Sequence, residues 1–189
     1  MNRLPRLTPS TRNEQQEELF QLIAGGPRAQ GPQYFELVGA DGALNGPFNA
    51  MLYSADLGSA VQNLGASVRY QTALSPRMRE MAILMVAAQW DSEFEQYAHE
   101  PIALAVGLTP AEITSLRDGV TLEWHDESEQ AMYNLTRALC QGQGVISDED
   151  FEDYRRVLGL PAIYEMSTLV GYYALLALQL RTFSIGIPR

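Results

Sequence analysis

The sequence predicts an all-α protein. Apolar residues recur at helical spacing through most of the chain, helix-start signals of the Ser-Pro and Thr-Pro kind punctuate it, and no segment shows convincing strand alternation. With 189 residues, 46% of them apolar and 19% charged, the chain can bury a sizeable core and does not read as disordered. It is expected to form a single domain over 1–189, with about seven to nine helices, a polar lead-in at 1–12 and a tail at 181–189.

The elements follow in order. Glu14–Ala24 reads as a first helix, stopped by GGP at 25–27. GGPRAQGP (25–32) and VGADGALNGPF (38–48) are breaker-rich and should be loops. Asn45-Gly46-Pro47 signals a new start, after which NAMLYSADLGSAVQNLGASVRY gives one or two helices to Tyr70. Ser75-Pro76 puts a hydroxyl at the N-cap and proline in the first turn of a helix running through RMREMAILMVAAQW. From Met81 to Ala88 that helix is apolar on every side, so it belongs at the centre. Another helix starts near Ser92, with a kink expected at Pro101 and an end at Gly107. Thr109-Pro110 opens a short helix to Arg117. HDESEQAMYNLTRALC carries an apolar stripe at 131, 132, 135, 138 and 139. Ser147 caps DEDFEDYRRVL, and Pro161 begins the long C-terminal helix AIYEMSTLVGYYALLALQLRTF.

Composition narrows the partners. The balance of 13 Lys+Arg against 23 Asp+Glu gives a net charge of −10, which argues against nucleic acid or an anionic membrane. The single cysteine, Cys140, excludes an intrachain disulfide and any C-x-x-C motif. No apolar signal region is visible near the N-terminus, so a cytoplasmic location is expected. The charge-free stretch Met166–Leu180 falls short of the roughly twenty residues a membrane span needs.

The polar cluster WDSEFEQYAH (90–99) directly follows the most apolar run in the first half of the chain. With Ser92 as origin, Glu95 falls near 300° and His99 near 340° around the helix, roughly one narrow arc. Ile102, Ala103 and Val106 continue that side, so Ser92, Glu95 and His99 should face inward and Glu93 and Glu100 outward. A buried carboxylate needs a partner, and Glu95 and His99 at i,i+4 can satisfy each other. A neighbouring carboxylate favours the protonated ring and poises His99 as a general acid. Glu80, on the preceding helix, shares a side with Ile83, Leu84 and Ala87 and is the other candidate. Trp90 joins Ser92 as a candidate substrate contact. The alternatives stay open: Glu95 and His99 as a satisfied core pair, and Glu80 as an exposed first-turn acid favoured by the helix dipole. Three ligands without a second nearby histidine make a metal site the weakest option, and no metal is expected.

The stretch LSPRMREMAILMVAAQWDSEFEQYAHEPIALAVGLTPAEI (74–113) resembles the carboxymuconolactone decarboxylase / alkylhydroperoxidase D-like family. NGPFNAMLYSADL upstream, with VISDEDFEDYRRVLG and LVGYYALLALQLRTFSIGIP downstream, is similar to a longer subgroup of it, extending the resemblance to about 34–188. The alkylhydroperoxidase pattern of a glutamate, C-x-x-C and a histidine falls here on Glu80, Ser92, Glu95 and His99, so both sulfurs are missing. Thiol peroxidase chemistry needs an attacking thiolate and a resolving thiol, and the resemblance therefore disfavours it for this chain.

For the decarboxylase members the resemblance implies proton transfer without a cofactor on a small carboxylated lactone or enolisable acid. His99 would donate the proton, Glu95 would orient it, and Glu80 would complete the relay or contact substrate. It also implies an all-α fold assembled as homo-oligomers, trimers or hexamers, with MSTLVGYYALLALQL suited to a subunit interface or to the domain's own core. A catalytically silent binding or scaffold protein on the same fold is the alternative.

Overall fold

The computed structural model describes residues 2–26, 29–30 and 33–188. Within them the chain forms α1 (Glu14–Ala24), α2 (Pro47–Met51), α3 (Ala55–Tyr70), α4 (Pro76–Gln89), α5 (Glu93–Ala105), α6 (Pro110–Asp118), α7 (Glu127–Gln141) and α8 (Asp148–Thr182). The loop expected at 25–32 lies partly outside the described residues, as does the end of the tail. Among the described residues the sole β feature is an isolated bridge between Val38 and Leu44, inside the expected 38–48 loop.

Helix α4 starts where capping chemistry puts it. The Ser75 hydroxyl accepts from the Met78 N–H at 3.1 Å, and Pro76 supplies the first turn. Seven of its residues, Glu80 to Leu84 with Val86 and Ala87, are buried, and α5, α6, α7 and α8 all pack on it. Ile83 and Ala82 join Leu135, Met166 and Leu169 in the main apolar cluster, each fully buried. Each large aliphatic side chain taken out of water there contributes about 1.5–3 kcal/mol.

The two C-terminal helices predicted from sequence meet end to end. Gly159 adopts φ 79°, ψ 156° inside α8, a left-handed backbone that suits glycine, and Pro161 restarts the helix beyond it. In the second part, Met166, Leu169, Tyr172, Tyr173, Leu176 and Leu180 are all buried within the chain's own core. Tyr164 and Leu178 stay exposed. Among the described residues no helix is long and apolar enough to cross a membrane.

The polar lead-in is an ordered strap. The Arg3 N–H donates to the Phe183 carbonyl at 2.8 Å, and the Arg3 guanidinium donates to Thr182 O. Buried Asn49 accepts from the Leu7 N–H at 2.9 Å and donates to Pro5 O at 3.0 Å, while Arg6 pairs with Asp41. Composition showed these residues as polar. It could not show that their partners lie on α2 and at the far end of α8.

Candidate functional site

A tight helical hairpin builds the site. At the end of α4 the Asp91 N–H donates to Ala88 O and the Ser92 N–H donates to Ala87 O, with Asp91 in the left-handed region at φ 49°. The chain reverses at once, and α5 runs back along α4. This brings the early α4 residue Glu80 against His99 of α5, though they are 19 positions apart.

His99 lies between two carboxylates. Its Nδ1 is 2.6 Å from Glu80 Oε2, and its Nε2 is 3.4 Å from Glu95 Oε2. All three are buried, at 1% exposure for Glu80, 3% for Glu95 and 5% for His99. Burial pushes the Glu80 carboxyl up, but the charge and hydrogen bond of His99, with Arg69 and Arg79, outweigh it and hold the group below its ordinary value. Glu80 is therefore ionised at neutral pH, and it fixes the ring with Nδ1–H donating to Oε2. Nε2 is left facing Glu95.

Two arginines flank the pair. Arg69 Nη2 and Arg79 Nε both lie 4.0 Å from Glu80 Oε1. Arg69 Nη1 also donates to the Tyr173 hydroxyl at 3.2 Å, and the Tyr173 ring meets the His99 ring edge-on with centroids 5.2 Å apart. Burial pulls the Arg69 guanidinium down, while Tyr173 and Glu80 raise it above its ordinary value. Arg79 is lowered, chiefly by burial. Both remain charged across the accessible pH range.

His99, Glu95 and Arg69 line a cavity of about 190 Å³ between α2, α5, the end of α3 and the second part of α8. Its walls are aromatic. Phe35 and Phe48 lie parallel with centroids 6.3 Å apart, and Phe94 meets Phe35 edge-on at 5.9 Å. Tyr70, Tyr172 and Tyr173 complete the lining beside the histidine. Phe94 is held in place by Gly46, whose φ of 60° and missing Cβ leave room for the ring, since a Cβ there would collide with it.

The structure brings together His99, Glu95 and Glu80 but distributes their contacts differently from the expectation. The short bond to His99 comes from Glu80 across the hairpin, while Glu95 stands farther off at the opposite nitrogen. An i,i+4 pair on one helix is constrained by its rotamers, whereas a residue on the facing helix meets the ring head-on. Ser92 is buried at the N-cap of α5 but makes no capping hydrogen bond. With Trp90 it lines a different cavity, beside Leu180 and Arg181, and neither is among the residues lining the His99 cavity. Glu93 is exposed and Glu100 half-buried, consistent with the outward side of the helical phase. Among the described residues no three His, Cys, Asp or Glu side chains group as a metal site. Arg69, Arg79 and Tyr173 were missed. The signals were present in an arginine directly before Glu80 on a helix with no outward face, and in paired tyrosines inside a charge-free helix.

The fold and site define a class: an all-α protein with a buried carboxylate–histidine–carboxylate set on a helical hairpin, opening to an aromatic cavity. Residues 55–127, a segment that holds Arg69, Glu80, Glu95 and His99, match the carboxymuconolactone decarboxylase family. The match is shorter than the 34–188 span of the sequence resemblance. No curated protein sequence matches the chain.

Solved structures share the fold. A peroxidase-related protein with an alkylhydroperoxidase core from Ralstonia eutropha aligns with TM-score 0.76 at 13% identity, over 99% of this chain and 92% of that one. A peroxidase-related protein from Silicibacter gives TM-score 0.74 at 13% identity, over 99% and 92%. The debrominase Bmp8, seen in complex with 2,3,4-tribromopyrrole, gives 0.70 at 15% identity, over 97% and 90%.

Proposed function

We propose that this protein is a proton-transfer enzyme, decarboxylase-like, acting without a cofactor on a small conjugated acid or carboxylated lactone. The observation that carries this reading is the set Glu80–His99–Glu95 at the wall of an aromatic cavity. Glu80 orients the ring through Nδ1, so that Nε2 is the working nitrogen. In the decarboxylating direction, the bond from carbon to the departing carboxylate breaks and its electron pair passes into the conjugated carbonyl as a dienolate. Carbon dioxide leaves, and protonated Nε2 delivers its proton to the carbon. Glu95, at the same nitrogen and lining the cavity, is placed to return a proton from solvent.

A thiol-based reading lacks support. Cys140, the one cysteine, lines another cavity on the α7 side, and burial pushes its thiol up to about 11, away from the reactive thiolate.

The test is carbon dioxide release from a panel of β-keto acids and carboxylated lactones. On a turned-over substrate, His99→Ala should lower kcat by about 10²–10⁴-fold with helix content unchanged. Full activity in His99→Ala would remove the mechanism.

A further inference from the structure

Among the described residues one guanidinium lines the aromatic cavity, and its hydrogen-bonding capacity is not used up. Arg69 sits in the last turn of α3 with its side chain 14% exposed. Nη1 is engaged by the Tyr173 hydroxyl, but its buried Nε has no hydrogen-bond partner. The Glu80 oxygen facing it is 4.0 Å away, beyond hydrogen-bond reach, and is shared with Arg79 at the same distance. The other Glu80 oxygen is taken by His99. Two buried cations thus share a single carboxylate oxygen that neither bonds. Only Arg69 of the two lines the cavity.

We propose that Arg69 anchors the carboxylate of a planar organic acid in this cavity, with Tyr173 holding the guanidinium in place. The proposal rests on the reading above and names how that site recognises its substrate. A guanidinium fork matches a carboxylate through paired N–H donors, which an ammonium cannot reproduce. Glu95 lines the cavity on the His99 side and disfavours a lasting carboxylate there, so the retained carboxylate is directed to Arg69 while the departing one lies on the histidine side. The walls of Phe35, Phe48, Phe94 and Tyr70 favour a flat, conjugated body between the anchor and the histidine. An ion pair stabilises a charged ground state and not neutral carbon dioxide, so the acid on Arg69 is retained and the reacting carbon is another.

Benzoate and its neutral isostere benzamide test this without turnover. In protein labelled with ¹⁵N-arginine, benzoate should shift the Arg69 Nε–H resonance, assigned by its loss in Arg69→Lys, and benzamide should not. Benzoate affinity should fall about tenfold or more in Arg69→Met, partly in Arg69→Lys, and be kept in His99→Ala. An Arg69 signal indifferent to benzoate in the wild-type protein, or equal affinity for benzoate and benzamide, would overturn the anchor even if Arg69→Met failed to fold. The two readings fail separately. Turnover surviving His99→Ala while benzoate still depends on Arg69 removes the mechanism and keeps the anchor; benzoate binding independent of Arg69 beside an essential His99 removes the anchor alone.

Discussion

Helix α4 feeds two interiors built on different rules. Ala82, Ile83 and Val86 enter the main apolar cluster with Leu135, Met166 and Leu169, where what matters is filled volume. Glu80, equally buried on the same helix, enters a cluster of Arg69, Arg79 and His99, where what matters is that every charge keeps its opposite. The apolar side is non-directional and tolerates swaps of similar volume. The charged side stores its stability in complementarity, so losing one partner strands the others in a poorly solvated place. Depth of burial alone does not tell these sides apart.

The contrast can be broken or sharpened by substitution. Glu80→Ala leaves Arg69 and Arg79 without their shared carboxylate and should cost about 3–5 kcal/mol in urea unfolding, with turnover lost as well. A cost like that of an exposed site would dissolve the distinction. Leu135→Ala opens a cavity in the apolar cluster and should cost about 2–5 kcal/mol while leaving benzoate affinity and turnover intact. Activity lost there in step with stability would mean that the two interiors are one.

Acid titration separates them further. The folded-state value of Glu80 lies below its ordinary value, so its contribution is present above the unfolded carboxylate range near pH 4.3 and is lost as pH falls through the folded value. Glu80→Gln should flatten the acid limb of the stability curve, whereas Leu135→Ala should lower the whole curve without changing its shape. Identical acid limbs for Glu80→Gln and wild type would contradict this account of the charged side. The smallest effect belongs to the surface. The hydrogen bond from Arg6 holds Asp41 at about 2, but both side chains are well exposed. Asp41→Asn should therefore change the urea midpoint by an amount equivalent to only about 0–1 kcal/mol.

Much of this was legible in the sequence. The Ser75-Pro76 and Thr109-Pro110 signals set helix starts because capping is local, and the inward arc of Glu95 and His99 followed from helical phase alone. Glu80 could be placed inside because its helix had no outward side. Arg69 and Tyr173 could not be paired, since they stand 104 residues apart and phase tells which way a side chain points, not which helix it meets. The same limit put Glu95 ahead of Glu80 as the partner of His99. It also grouped Ser92 with the histidine, although residues at the mouth of a hairpin diverge from those along its length. The helix expected from Ser92 to Gly107 through Pro101 is α5, which runs from Glu93 to Ala105 with the proline inside it.

The position of Phe94 has a consequence for what the cavity can admit. Its ring rests in a recess that exists because residue 46 has no side chain, in a loop that never touches the histidine's helix in sequence. The wall of the cavity that His99 lines is thus adjusted from a separate loop, like a shim behind a door frame. One added methyl at Gly46 would collide with the Phe94 ring and force it to shift, reshaping the cavity wall while Glu80, Glu95 and His99 keep their identities.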